Sequence, residues 1–337
     1  MSIQSSVDLR NYCTMRIGGV ATALAEVRTK DELLEAIRWA DEHHLPMLFL
    51  GDGSNVIFSG DYDGLVIINR LAGFKLTKNE QGALLTVAAG ENWDETVKRT
   101  VEMGLSGIEK LSFIPGTAGA TPVQNVGAYG AEIADTFVGL EAYDLQTKTF
   151  VTLSKADCKF SYRSSIFKST KNRRYIITSI TLQLTKEPPR PPFYDSLQHY
   201  LDEHDIHTYT PQIIRDAVIA IRTIKLPDPK RIANTGSFFK NPIIEQKLFQ
   251  TIERDSPDIP HWPTKDGRVK VAAGWLIDHT GLRNYSAHGM RIYDQNALVF
   301  VNENAKSYTD LAAFREEVVS RVRDQFGITL EQEPELI

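Results

Sequence analysis

Two short stretches carry side chains with reactive chemistry. Phe160–Phe167 reads FSYRSSIF and centres on Arg163. A guanidinium is always charged and offers a planar fork that grips a carboxylate with two parallel hydrogen bonds. Arg163 is therefore either a carboxylate clamp or half of a structural ion pair, and Tyr162 beside it reads as packing. Gly236–Pro242 reads GSFFKNP. Its Ser237 hydroxyl becomes a usable acid only where the alkoxide is stabilised, and Lys240, three residues on, supplies a cation for that purpose. The competing reading is a turn serine bonded to its own backbone.

Two glycine-rich stretches could hold a large anionic group. Leu111–Gly130, LSFIPGTAGATPVQNVGAYG, has Gly116, Gly119, Gly127 and Gly130 among small and polar residues, with Pro115 and Pro122 stiffening the path. Bare backbone of this kind brings N–H groups close to an anion, so the stretch reads as a cradle for a cofactor pyrophosphate or else as a long ordered loop between strands. Leu50–Phe58, LGDGSNVIF, follows the apolar run Met47–Leu50 and turns at Gly51 and Gly53, with Ser54 and Asn55 as side-chain donors. Val56 stands where the dinucleotide fingerprint has its third glycine, and no clear helix follows. There is no Gly-Lys-Ser/Thr and no nucleophile elbow, so a P-loop NTPase and a Ser/His/Asp hydrolase are excluded. With Arg16–Gly19 (RIGG), the pattern fits a non-Rossmann nucleotide fold.

The elements that position these residues follow from periodicity. Val20–Val27 reads as a strand. Thr29 and Glu32 form a capping box for a helix over 31–43, with Leu33, Ile37 and Ala40 on one face. His43 and His44 end that helix as solvated groups rather than metal ligands. Met47–Leu50 and Leu65–Ile68 are strands, which completes a βαββ-like unit after an irregular start over 8–19. Leu84–Ala88 is a strand and 92–103 a helix carrying Trp93, Val97 and Val101. Strands follow at 138–143, 150–153 and Tyr175–Leu184. Lys186–Pro192, KEPPRPP, is a linker because its prolines bar helix and interior strand. Thr210 and Pro211 open a helix over 212–222. Helix and strand then alternate through 243–254, 298–301 and 307–326, the last capped by Ser307 with Asp310.

At 337 residues, about two or three domains are expected. The 42% apolar content is ordinary for a soluble globular chain. A net charge of −5 argues against a nucleic-acid partner, and no run approaches a membrane span. Cys13 and Cys158 lack metal-ligand spacing and point to a reducing compartment, so the reading is a cytoplasmic protein with no metal.

Taken together, Leu50–Phe58, Leu111–Gly130, Ser161–Lys168 (SYRSSIFK) and Gly236–Pro242 closely resemble the UDP-N-acetylenolpyruvoylglucosamine reductases, the MurB family. The resemblance runs from about Asn11 to Glu333, and residues 193–210 with Tyr194 match the family's longer form. It implies an α+β protein. A PCMH-type FAD-binding fold would comprise two α+β subdomains: a βαββ subdomain at 1–70, and one at 71–223 that includes the proline linker and the tyrosine loop. A C-terminal α+β substrate domain would follow at 224–337. The implied activity is NADPH-dependent reduction of UDP-N-acetylglucosamine enolpyruvate through FAD, in peptidoglycan precursor synthesis.

By the same resemblance, Arg163 stabilises an enolate, Ser237 donates a proton and Glu333 assists. Gly51, Gly53, Ser54, Asn55, Pro115, Gly116, Gly119, Ala120, Gln124, Asn125 and Gly127 contact the cofactor. Tyr129, Tyr194, Arg222, Lys225, Lys240, Asn241 and Asn296 contact the UDP-sugar. Two departures stand out. Gln332 replaces the usual proline of Ile-x-Leu-Glu-Pro-Glu, so a two-residue slip would move the catalytic carboxylate to Glu335. Asn296 stands where a glutamine is common. Some relatives of the fold bond FAD through a histidine after their first glycine turn; Val20 follows Arg16–Gly19 here, so FAD is expected to be non-covalent. The protein is expected to be a monomer. The rival readings are another flavin oxidoreductase or oxidase of this fold and a non-catalytic flavin-binding protein.

Overall fold

The strand Val20–Val27 gives way at Thr29, whose Oγ1 accepts the Glu32 N–H at 3.1 Å and opens the helix Lys30–Glu42. The expected capping box is not reciprocal: the Glu32 carboxylate accepts the Arg28 N–H at 2.6 Å instead. Leu33, Ala36, Ile37 and Ala40 recur at helical spacing and bury that face against Ala23, Ala25, Val27, Leu65 and Ile67. The structure, a computed structural model, describes residues 1–168 and 173–337. These residues form two units. One comprises Met1–Val7, Ala21–Asp52 and Asp63–Thr223, and the other Asp8–Val20, Gly53–Tyr62 and Ile224–Ile337.

The first unit holds two sheets. In one, Ile3–Asp8, Val20–Val27, Tyr62–Asn69 and Met47–Leu50 lie in that order, and the last two run parallel with Met47 opposite Leu65. The strand Ile3–Asp8 falls ahead of the expected βαββ unit. The other sheet is an antiparallel run of Thr149–Ser154, Phe137–Asp144, Tyr175–Leu184, Gly82–Ala88 and Phe74–Asn79. The helix Trp93–Glu102 is capped by Asn92, whose Oδ1 accepts the Glu95 N–H at 2.9 Å. It buries Trp93, Val97 and Val101 with Leu85, Val87, Leu140 and Ile180 of that sheet. The residues expected to be the family's extra segment contain the helix Asp195–Glu203. It packs Leu197 and Leu201 against Ile214, Val218 and Ile221 of the helix Pro211–Lys225. Thr210 Oγ1 accepts the Ile213 N–H at 3.2 Å to start that second helix.

In the second unit, Ala233–Ser237, Val299–Asn302, Met290–Ile292 and Ser286–Ala287 form a four-stranded sheet. Ile243–Ile244, Val269–Val271 and His261–Pro263 form a three-stranded one. The stretch 243–254 thus divides into a short strand and the helix Gln246–Asp255. A long helix, Tyr308–Phe326, opens with the reciprocal Ser307–Asp310 capping box and ends at Gly327. Its Phe314 meets Phe300 edge-on at 4.9 Å, and Phe300 stacks on Phe238 at 4.4 Å. These rings form a rigid aromatic floor under the strand that ends at Ser237.

Among the described residues no helix is long and apolar enough to cross a membrane. Nor is any group of three or more His, Cys, Asp or Glu side chains among them placed to hold a metal. His43 stacks on Trp39 at 4.0 Å, with Nδ1 2.7 Å from the Trp39 carbonyl. Both cysteines are buried free thiols, and burial pushes the Cys158 thiol up to about 12.

Candidate active site

In the first unit, Ser161–Lys168 is laced along the glycine-rich stretch. Ser165 Oγ donates to the Val123 carbonyl at 2.6 Å, and Asn125 Nδ2 donates to the Ser161 carbonyl at 3.2 Å. Lys168 Nζ reaches Gln124 Oε1 at 3.4 Å. Ser161 and Ser164 exchange backbone hydrogen bonds at 3.0 and 3.1 Å, which closes a tight turn over Tyr162 and Arg163. Arg163 occupies the left-handed region at φ 52°, uncommon for a residue with a β-carbon, so this turn and its anchors must hold it there. Its Nη2 donates to the Gly127 carbonyl at 2.8 Å, and its Cζ lies 5.3 Å from the Tyr162 ring centre. Tyr162 is thus a cation–π neighbour of Arg163 and more than packing.

Around Arg163 the same unit gathers three of the sequence-derived substrate residues. Tyr129 and Tyr194 meet edge-on at 6.3 Å. The Tyr129 hydroxyl faces Arg222; burial raises the phenol's pKa, and the Arg222 charge and hydrogen bond draw it back. Burial holds the Arg222 guanidinium below the usual arginine value, Tyr129 and Asp94 counter this, and the Arg163 charge lowers it further. Two cations that repel one another beside two phenols make a locus suited to an anionic, hydroxyl-bearing ligand.

The residues of the first unit fit a dinucleotide pyrophosphate. A β-carbon on Gly51 would lie 2.3 Å from Thr117 Oγ1, so the first glycine turn and the glycine-rich stretch touch through bare backbone. A β-carbon on Gly119 would lie 2.4 Å from that of Ala89, so the turn over 118–120 sits flush on the residue that follows the strand Gly82–Ala88. Pro115, Gly116 and Ala120 belong to the same stretch. Asp52, within the first turn, is neutralised by Arg70 Nη1 at 2.5 Å, which removes a charge that would repel phosphate. Asn125 is buried and anchored by Glu132 at 2.7 Å and by the Ala134 N–H at 3.2 Å, bonds that brace the loop around it.

In the second unit, Gly53 packs on Tyr12, whose carbonyl would lie 2.0 Å from an added β-carbon, and the Ser54 carbonyl accepts the Thr14 hydroxyl at 3.4 Å. Ser237 ends the strand Ala233–Ser237 opposite Val299 and is half-buried. The chain's last residues return beside it. The Glu333 N–H donates to the Phe238 carbonyl at 2.9 Å, and the Lys240 N–H donates to the Glu331 carbonyl at 2.9 Å. Glu335 pairs elsewhere: its N–H donates to the Asn55 carbonyl at 2.9 Å. Lys240 Nζ is ion-paired with the Glu331 carboxylate. Asn241 Oδ1 accepts the Ala273 N–H at 3.0 Å, and Asn296 Oδ1 accepts the Leu298 N–H at 3.1 Å. Lys225, at the end of its helix, is exposed.

Residues 21–154 match the model of an FAD binding domain, and residues 228–337 match that of the UDP-N-acetylenolpyruvoylglucosamine reductase C-terminal domain. The reductase of that name from Neisseria gonorrhoeae is 41% identical over 334 residues, 98% of this chain and 96% of the relative. The one from Pseudomonas syringae pv. tomato is 38% identical over 337 residues, 100% of this chain and 99% of the relative. The chain belongs to the UDP-N-acetylenolpyruvoylglucosamine reductase family. The crystal structure of the Thermus caldophilus member superposes with a TM-score of 0.67 at 26% identity, covering 100% of this chain and 99% of that one. The fold is accordingly the α+β, PCMH-type FAD-binding fold of this family.

Several residues that shape this candidate site carry no motif. Asp94, paired with Arg215, accepts the N–H of Phe113, whose carbonyl accepts Arg222 Nε, and Glu331 pairs with Lys240. One local signal existed: Arg215 and Arg222 lie two turns apart on one helix and so share a face.

Proposed function

We propose that this chain reduces the enolpyruvyl ether of UDP-N-acetylglucosamine enolpyruvate to UDP-N-acetylmuramate, as an NADPH-dependent, FAD-containing reductase of peptidoglycan precursor synthesis. Bound FAD would supply the hydride chemistry between NADPH and the vinyl carbon, held by the glycine turn over 51–55 and the stretch over 115–127. The protein's own residues do the rest. Arg163 grips the enolpyruvyl carboxylate and, with Glu333, stabilises the enolate that forms. Ser237 Oγ–H delivers the proton to the neighbouring carbon. Tyr129, Tyr194, Arg222, Lys225, Lys240, Asn241 and Asn296 hold the UDP-sugar. Residues 1–70 and 71–223 form the two FAD-binding subdomains, the second also carrying the tyrosine loop, and 224–337 the substrate-binding domain. The enzyme acts as a cytoplasmic monomer, with two free buried thiols in keeping with a reducing compartment.

The observation that supports the catalytic assignment is the Glu333 N–H on the Phe238 carbonyl, one residue from Ser237. An anaerobic absorbance trace tests the whole reading. NADPH bleaches the flavin, excess is removed, and UDP-N-acetylglucosamine enolpyruvate restores the oxidised band. Reduction without return leaves a flavoenzyme with another acceptor. Ser237→Ala is expected to be reduced normally and to reoxidise about 10²–10⁴ times more slowly. Unchanged reoxidation in stopped flow removes Ser237 from the mechanism.

A further inference from the structure

Asp94 is the hub of a network that ends on Arg222 and Tyr129. It is the second residue of the helix Trp93–Glu102. Its Oδ1 accepts the Phe113 N–H and Arg215 Nη1, both at 2.6 Å, and its Oδ2 accepts Arg215 Nη2 at 3.0 Å. Arg215 is buried at 5% exposure. A bidentate pair of this kind fixes both partners in orientation as well as distance. Truncating one partner leaves the other charge buried and uncompensated.

The Phe113 peptide carries the connection onward. Phe113 sits at φ 59°, in the left-handed region that a bulky aromatic adopts rarely. Its peptide groups are held from both sides: the N–H on Asp94, and the carbonyl on Arg222 Nε at 3.0 Å. That second bond occupies one edge of the guanidinium and leaves the other to the Tyr129 hydroxyl. Arg215 and Arg222 stand on one helix, so a single carboxylate fixes one arginine directly and the next through one residue, Phe113.

We propose that Asp94 and Arg215 are positioning residues: they hold the Phe113 peptide in its left-handed conformation so that its carbonyl aims Arg222, and with it Tyr129, at the UDP-sugar. This rests on the reading that Arg222 and Tyr129 contact that substrate. A mere tie between two helices predicts something different: loss of Asp94 would then weaken the protein by the same factor whether or not Arg222 is intact.

The test is a double-mutant cycle on the FAD-loaded enzyme. The readout is the half-saturating concentration of UDP-N-acetylglucosamine enolpyruvate in reoxidation of the reduced flavin. Asp94→Ala is expected to raise it about tenfold, the size of a typical coupling within one hydrogen-bond network. Arg222→Met raises it as well, and adding Asp94→Ala to Arg222→Met raises it no further. Asp94→Asn, which keeps an oxygen for the Phe113 N–H, recovers part of the loss. If Asp94→Ala does not fold, Asp94→Asn is carried through the same cycle. Equal penalties in both backgrounds overturn the inference while leaving the proposed function intact. A wild-type enzyme that ignores the UDP-sugar overturns both.

Discussion

Gly119→Ala tests whether the close fit of the glycine-rich stretch on its sheet is what retains the flavin. The added β-carbon would stand 2.4 Å from the Ala89 β-carbon and 2.9 Å from its α-carbon. Carbon–carbon contacts rest at about 3.5–4.0 Å, so the turn has to retreat by about 1 Å. The Gly119 N–H now donates to the Ala89 carbonyl at 2.9 Å, and that retreat breaks the bond. Overpacking costs about 1–3 kcal/mol and the lost hydrogen bond about 1 kcal/mol, so the protein is destabilised by about 2–4 kcal/mol. Its melting midpoint falls by roughly 5–10 °C. A cradle displaced by 1 Å also misses the pyrophosphate, and FAD affinity is expected to drop about tenfold to a hundredfold. Titrating apoprotein with FAD by flavin fluorescence, alongside thermal melts with and without FAD, measures both effects. Gly60→Ala is the control, because an added β-carbon there meets nothing within 4 Å. If Gly119→Ala binds FAD and melts like the wild type, the close contact does not shape the cradle and the reasoning fails.

Three further outcomes are expected. Glu333→Gln slows flavin reoxidation by the UDP-sugar by about 10²-fold or more, while Glu335→Gln stays within about twofold of wild type in the same stopped-flow trace; the reverse pattern would move the carboxylate to Glu335. Asp144, hydrogen-bonded to Arg174 at 2.8 and 2.5 Å, is held well below the usual carboxylate range. A depressed folded-state pKa gives stability that is complete above the unfolded value and is lost as the pH falls through the folded one. Acid melts below about pH 4 should therefore slope less steeply for Asp144→Asn than for wild type, and parallel slopes would refute this. Denaturation should release all the yellow cofactor into the supernatant; flavin retained on the precipitate would show a covalent link.

What the sequence reveals and what it hides divide by the range of the interaction. Asn92, Thr210 and Ser307 each cap a helix through a bond to a residue three positions on, so those helices could be read where they start. The glycine turns could be read because bare backbone is written in the sequence itself. The strand Ile3–Asp8 could not, since IQSSVD lacks apolar alternation and becomes a strand by lying beside Val20–Val27. The helix Asp195–Glu203 starts after Tyr194 without any side-chain cap, so no local mark announces it. Asp94 and Arg215 are 121 residues apart, and no spacing rule joins them.

The two C-terminal carboxylates, alike along the chain, differ in the backbone partners that the fold gives them. Read along the chain, Glu333 and Glu335 are equivalent glutamates separated by Pro334. In the fold, Gln332 sits opposite Phe239, flanked by the Lys240–Glu331 and Glu333–Phe238 backbone bonds. Two residues later the chain has moved to other partners: the Glu335 N–H donates to the Asn55 carbonyl and the Ile337 N–H to the Ile57 carbonyl, both at 2.9 Å. A two-residue slip that brought Glu335 to Phe238 would have to break both of these bonds as well as move Gln332 off Phe239. Buried main-chain groups are costly to leave unpaired, so the two ends of this segment lock one another's register. The Gln332 side chain adds to the lock, donating from Nε2 to the Pro334 carbonyl at 2.8 Å across Glu333.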